Sequence, residues 1–436
     1  MQHYRIISSF YAKIDIVHTD SRKKFISSSS TLIISSLGVN GVNYLFHLMS
    51  ARMLSIENYG IFQTILSFVG ILTVVTVLVR LQLTRKLASY VKEKKYSFAS
   101  SVTYVTSIMA FLAITGIYLL VLLFNLLAPH IESQLLDNSF VIYLLTLLTI
   151  LTAINRAVMR AYLSFLSLAV SANLQSIFRL AAVALLLLSG FKLQGAFLGT
   201  IAALIFIYLV SFWQLGKKLY PLNFDIPFKK NIRFPTKETL STTLGFLGLT
   251  SLISSDLILI QHFLPHEAGF YAGMMLFGKV IILFTTPFSA VLFPALIHSK
   301  EQVKTNRLFR LSFLLVTSSS VGIFLSYLLF AQQIIPLVLS PSYLVIAPLL
   351  PLYALVVMLY SISYLLVNGF LALKQYTPCF ISLAVAILQI VSISVFHEDI
   401  KQVIYISLVS NFILALSLTL MLYGKSKVSL LPAYDK

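Results

Sequence analysis

The chain has 436 residues, of which 58% are hydrophobic and only 11% charged. Soluble domains carry about 25% charged residues, so one water-facing core is excluded and many separate apolar spans are implied. The net charge of +18 sits in short segments between apolar runs. That placement marks topology determinants rather than a nucleic-acid surface.

In chain order, residues 1–26 form a polar arm with Arg5, Lys13, Arg22, Lys23 and Lys24. No short apolar region with a small-residue cleavage site precedes these cations, so no removable signal peptide is expected. Hydropathy windows predict helices near 27–50, 60–83, 99–127, 139–158, 166–189 and 195–215. After a linker at 216–238, six more fall near 239–262, 269–296, 309–331, 346–369, 378–396 and 402–422. A tail at 423–436 closes the chain. If the N-terminus is cytoplasmic, inner segments hold 26 of the 32 Lys and Arg, outer segments hold Arg52, Lys192 and Lys401, and Arg80, Arg179 and Lys279 lie inside spans. That bias predicts both termini in the cytoplasm. The longest outer loop is expected around "QQIIPLVLSPSYLV".

The halves repeat. Gly60 aligns with Gly269 and Phe62 with Tyr271 at an offset of 209, and "RAYLSFLSLA" matches "NGFLALKQYT" at 208, pairing Leu163 with Leu371. Two lobes of six helices keep the same orientation, so their pseudo-two-fold axis runs along the membrane normal. The predicted fold is an all-α polytopic membrane protein of twelve helices, with an N-lobe over 27–215 and a C-lobe over 239–422.

"ISSLGVNGVNYLFHLMSARML" (34–54) places Ser36, Asn40, Asn43, His47 and Ser50 on one helix face. Polar groups facing hydrocarbon stay unsatisfied, so this face meets protein or water. Interhelical packing helped by Gly38 and Gly41 is one reading, and a hydrated cavity wall lined by Asn40, Asn43 and His47 is the other. Asp256 and Lys279 fall at similar depths on consecutive antiparallel helices, a spacing that permits an ion pair. The pair is either structural, or Lys279 meets an anionic substrate while Asp256 releases it or takes up a proton. Arg179, near Asn173 and Gln175, suits phosphate contact or a supporting pairing role. Arg52 is read as snorkelling or paired with Glu57, and Arg80, Arg156 and Arg160 as snorkelling or phosphate-capturing near inner helix ends. Pro287 and Pro294 predict a kink or local unwinding. The single Cys379 excludes an intrachain disulfide and a cysteine zinc site.

The segment "ARMLSIENYGIF" (51–62), with Arg52, Leu54, Glu57, Tyr59 and Gly60, resembles the region after the first helix of bacterial polysaccharide flippases. "SSDLILI", "PHEAGFYAG", Lys279, "PFSAVLFPAL" and "PLVLSPSYLVIAPLL" resemble the corresponding parts of the second half. The family is the polysaccharide transporter (O-antigen flippase) branch of the multidrug/oligosaccharidyl-lipid/polysaccharide exporter superfamily. The resemblance implies two lobes around a cavity open alternately to each side, with no enzymatic step. It implies movement of an undecaprenyl-diphosphate-linked oligosaccharide across the bacterial inner membrane, for lipopolysaccharide and related surface polymers. It also implies proton or sodium coupling, no bound cofactor, and other polysaccharide-assembly proteins as partners. A drug antiporter of the same superfamily has the same helix count, but it favours an acidic, aromatic cavity over in-span cations. A membrane polymerase or ligase needs a larger outer loop than any predicted here.

Overall fold

The computed structural model describes residues 35–127, 134–216, 236–298 and 302–426. The arm and most of the linker and tail lie outside the described residues. Twelve long helices appear among the described residues. They are α1 (35–53), α2 (Ile56–Lys92), α3 (Tyr96–Leu127), α4 (Ser139–Ala161), α5 (Phe165–Leu188) and α6 (Lys192–Leu215), then α7 (Lys237–Phe263), α8 (Pro265–His298), α9 (Gln302–Val338), α10 (Leu350–Ala372), α11 (Thr377–Val395) and α12 (Ile400–Ser426). Eleven of them, α2 to α12, are long and apolar enough to cross a membrane. Large apolar side chains such as Leu112, Leu120 and Leu126 on α3 and Leu314 and Leu329 on α9 are exposed, as lipid-facing surfaces are.

Several elements run past their predicted bounds. α2 extends beyond the apolar window to Lys92, after a break at Thr73–Val74 and a π-helical stretch at Val79–Leu83. α9 begins at Gln302 and continues to Val338 through Pro336, with a non-helical Phe330 inside it. The predicted outer loop is therefore mostly helix, followed by a 3-10 turn at Pro341–Ile346. α8 is helical across Pro287 and Pro294 without the unwinding those residues predict. In the turn before Pro287, the hydroxyls of Thr285 and Thr286 donate to the carbonyls of Ile281 and Ile282 at 2.9 and 2.8 Å.

The packing repeats with the sequence. Within the N-lobe α3 packs on α4, α4 on α6 and α5 on α6; within the C-lobe α9 packs on α10, α10 on α12 and α11 on α12. The turns after α4 and α10 are the same C-terminal cap. Leu163 (φ 53°) donates to Arg160 and Ser164 to Met159, while Lys374 (φ 57°) donates to Leu371 and Gln375 to Phe370. Leu163 thus corresponds to Lys374, an offset of 211, and the 208 alignment with Leu371 is corrected. Apolar sequence is too uniform to register a helix by identity, whereas the cap geometry registers it directly.

Gly60 and Gly269, paired by the 209 offset, lie against each other: a Cβ on Gly60 would stand 2.7 Å from the Gly269 nitrogen. Residues at a two-fold axis meet their own equivalents, so this contact marks where the axis passes. One apolar core spans both lobes here, joining Phe46, Tyr59 and Phe62 to Tyr271, Met274 and Tyr343. Toward the opposite end the core divides. One cluster, with Leu87, Ile154 and Leu215, belongs to the N-lobe alone, and another, with Leu252, Phe309 and Phe370, to the C-lobe alone. The lobes are joined at the end bearing the α1–α2 and α7–α8 turns and diverge toward the other.

A Gly269→Val substitution drives a side chain into the Ile56 carbonyl, with an overpacking cost of about 1–3 kcal/mol. A cysteine placed at the buried seam residue Thr64 should then react faster with maleimide than in the Gly269 background, while Cys379 stays buried and silent. Equal reactivity in both backgrounds contradicts the close approach.

Candidate functional site

A cavity of about 410 Å³ lies between the lobes, lined by α1, α2, α4, α5 and α6 from one side and α7, α8 and α10 from the other. Its cationic and imidazole groups are His47, Arg179 and Lys279, and no Asp or Glu is among its lining residues. Gln63, Ser67, Thr149, Gln175, Ser254 and Tyr353 add neutral polar groups.

Arg179 is placed by two contacts with α1. It donates to Asn43 Oδ1 at 2.7 Å, and its guanidinium stands 4.1 Å from the centre of the Phe46 ring. Its Nε is buried without a partner, as are His47 Nδ1 and Gln63 Oε1. Lys279 has no hydrogen-bond or ion-pair partner among the described residues, and it lies within electrostatic reach of Arg179 and His47. Three basic side chains therefore share one space with unused donors and no carboxylate on its walls. Arg179 and Lys279 are like charges in a poorly solvated cavity, and an anion entering it meets attraction from both.

The polar stripe of α1 divides among neighbours. His47 lines the cavity, and Asn43 is half-buried and occupied by Arg179. Ser50 is buried and donates to Phe46 O at 2.8 Å on its own helix. Asn40 is exposed and lies outside the cavity lining.

The predicted ion pair does not form. Asp256 is 2% exposed and points into the C-lobe, where Tyr271 and Ser407 each donate to its Oδ2 at 2.7 Å and Gln389 donates to its Oδ1. The reason is helical phase. Ile253 and Ser254 of α7 line the cavity, and at about 100° per residue Asp256 sits roughly 110° around the axis from their midpoint, on the flank that meets α11 and α12. Matching depth on two helices says nothing of direction around their axes. Tyr271, Gln389 and Ser407 were not singled out as partners, although an isolated Gln in "AVAILQIVS" is the kind of buried polar residue that needs one.

Arg52 pairs with neither Glu57 nor solvent alone. It donates through Nε to the Val338 carbonyl at 2.8 Å and through Nη2 to Leu337. The last carbonyls of a helix lack intrahelical partners and carry partial negative charge, so a guanidinium is a fitting cap. This contact joins α1 of the N-lobe to α9 of the C-lobe at the closed end. At the other end Arg85 of α2 and Glu238 of α7 approach to 3.6 Å with both side chains well exposed, so the pair adds little stability.

The arrangement matches solved transporters. An inward-facing multidrug resistance MATE family transporter of the MOP superfamily superposes with a TM-score of 0.66 at 13% identity, over 91% of this chain and 96% of that one. The outward-facing form of such a transporter gives 0.61 at 13% identity, over 92% and 96%. A MOP superfamily transporter from Pyrococcus furiosus, described as having a binding pocket of reversed polarity, gives 0.60 at 15% identity over 92% and 96%. Twelve helices in two lobes about a central cavity are thus the fold this multi-pass membrane protein shares with those transporters. No curated protein matches the chain. The family model described as "Polysaccharide biosynthesis protein" matches residues 25–300, and the chain belongs to that family.

The two in-span charges separate in a stability measurement. Asp256→Asn puts an amide N–H₂ among three converging donors and should cost about 1–3 kcal/mol, seen as a lower Tm in detergent. Lys279→Gln should leave Tm unchanged, because Lys279 has no partner to lose. Equal losses in both variants would restore the ion pair.

Proposed function

We propose that the protein flips a polyprenyl-diphosphate-linked oligosaccharide from the inner to the outer leaflet of the bacterial cytoplasmic membrane, for surface polysaccharide assembly of the O-antigen or lipopolysaccharide kind. The supporting observation is the inter-lobe cavity that gathers His47, Arg179 and Lys279 with no carboxylate in its lining. Membership of the polysaccharide biosynthesis family supports the substrate class. A cavity of about 410 Å³ falls within the 300–1,000 Å³ range of ligand sites.

In this reading Arg179 and Lys279 hold the diphosphate, a task suited to a planar guanidinium and a mobile ammonium. His47, Gln63, Gln175 and Thr149 hydrogen-bond sugar hydroxyls, while the polyprenyl tail stays in lipid. The Lys and Arg distribution makes the joined end the outer one, so the cavity receives its headgroup from the cytoplasmic side. Outward opening then requires Arg52 to leave the α9 carbonyls and Gly60 to separate from Gly269. Both termini and the 216–238 linker lie in the cytoplasm, and proton or sodium coupling drives the cycle. Asp256, sealed by three donors away from the cavity, holds the C-lobe together in this state. A cationic drug, the cargo of an antiporter, would meet repulsion from the same lining.

Complementation of a flippase-deficient strain tests the reading. Losing one charge-assisted contact of about 1.5–3 kcal/mol lowers headgroup affinity roughly 10- to 100-fold, so Lys279→Gln should sharply reduce surface polysaccharide and Lys279→Arg should retain it. Arg179→Gln should behave like Lys279→Gln but with some loss of stability, since it also gives up Asn43 and Phe46. Full polysaccharide in both single variants and in the double variant would sink the proposal, and drug-dependent proton flux in vesicles would favour the antiporter.

A further inference from the structure

A second group of cations lies nearer the diverging end of the N-lobe, outside the cavity lining. Arg156 and Arg160 are four residues apart on α4 and share a face. The π-helical stretch Val79–Leu83 of α2 packs on α4, and Thr84 Oγ1 donates to the Ala157 carbonyl at 3.4 Å, which holds Arg80 beside them. Arg160 lies within electrostatic reach of both Arg80 and Arg156. Neither Arg80 nor Arg160 has a hydrogen-bond or ion-pair partner among the described residues. Glu93, on the same side, is engaged by Lys95 and Ser89, and Glu238 by Arg85.

Snorkelling does not describe Arg156. Arg156 turns inward, donating to Gln175 Oε1 at 2.6 Å and more weakly to the Ser171 hydroxyl and carbonyl, each at 3.4 Å. Gln175 in turn lines the central cavity, one helical turn before Arg179 on α5. Polar side chains therefore run from Arg160 through Arg156 and Gln175 to Arg179. Across the cleft, Tyr364 of α10 lies within reach of Arg80 and belongs to an aromatic group with Tyr360 and Phe246, at ring separations of 6.3 and 6.4 Å. Single-turn π segments reposition side chains and recur at functional sites, and this one carries Arg80.

We infer that Arg80, Arg156 and Arg160 form a second anion site that holds the phosphate-ester headgroup of a lipid at the inner mouth of the cleft before it passes along Gln175 to the central cavity. Three uncompensated guanidinia beside an aromatic wall suit a diphosphate bearing a sugar: the guanidinia bind phosphate oxygens and the rings offer a stacking face. The inference rests on the transport reading above, and it assigns to these residues a binding step distinct from that of Lys279.

Binding of farnesyl diphosphate to the purified full chain in neutral detergent, counted by native mass spectrometry, tests it. The wild type should bind two equivalents, and Arg80→Gln with Arg160→Gln should bind one. Arg80→Lys with Arg160→Lys should retain both, which separates charge from folding. Two equivalents in the glutamine variant overturn the inference. So does displacement of the second equivalent by phosphatidylglycerol, which makes the cluster a bilayer-lipid site, or its occupation by inorganic pyrophosphate but not by farnesyl diphosphate, which makes it a free-anion site. If Lys279→Gln keeps two equivalents while the Arg80 and Arg160 glutamine variant loses one, the mouth site stands and the central-cavity reading fails.

Discussion

A guanidinium halfway along an apolar helix must turn toward protein or water, because hydrocarbon leaves its five donors unsatisfied. Arg179 meets that demand by clamping α1 to α5, with one N–H on Asn43 and the guanidinium over Phe46. What remains of its hydrogen-bonding capacity faces the cavity. The position of α1, the direction of His47 and the polarity of the central space all follow from how this one side chain is accommodated.

The C-lobe solves the equivalent problem with different chemistry. At the repeat offset His47 corresponds to Asp256, and Gln389 on α11 stands near the position of Arg179 on α5. Gln389 donates to the Leu252 carbonyl and to Asp256, so α7 is stitched to α11 as α1 is to α5. Here, however, Tyr271 and Ser407 complete the shell and close it. Phe62, the counterpart of Tyr271, has no hydroxyl and packs against Phe46 and Phe197 instead. One scaffold used twice thus gives an open basic site and a sealed acidic one. The net charge of the cleft comes from this asymmetry, since the single in-span acid is withdrawn from it.

Much of the architecture is legible in the residues. Long apolar runs separated by basic segments locate the helices, and the repeat pairs Gly60 with Gly269, which the structure then places in contact. The candidate site is legible as a set of residue types: His47, Arg179 and Lys279 stand out because charged and polar side chains inside spans need a reason. Their grouping is less so. The equal depths of Asp256 and Lys279 fit an ion pair until the phase of α7 is known. Arg52 fits Glu57 until α9 is seen to bring its last carbonyls within reach. Pro287 and Pro294 signal a break, yet α8 stays helical across both.

Composition and periodicity determined by themselves that this chain spans a membrane as two similar halves, and that some spans carry polar faces needing partners. Those conclusions depend only on local transfer free energies and on distance along the chain. Which partner each polar group finds was decided by tertiary structure. Rotation of a helix by two residues moves a side chain to its opposite face, and only packing against neighbouring helices sets that rotation. For that reason Lys279 opens into the cavity, Asp256 closes within a lobe, and Arg156 reaches Gln175 rather than the membrane surface.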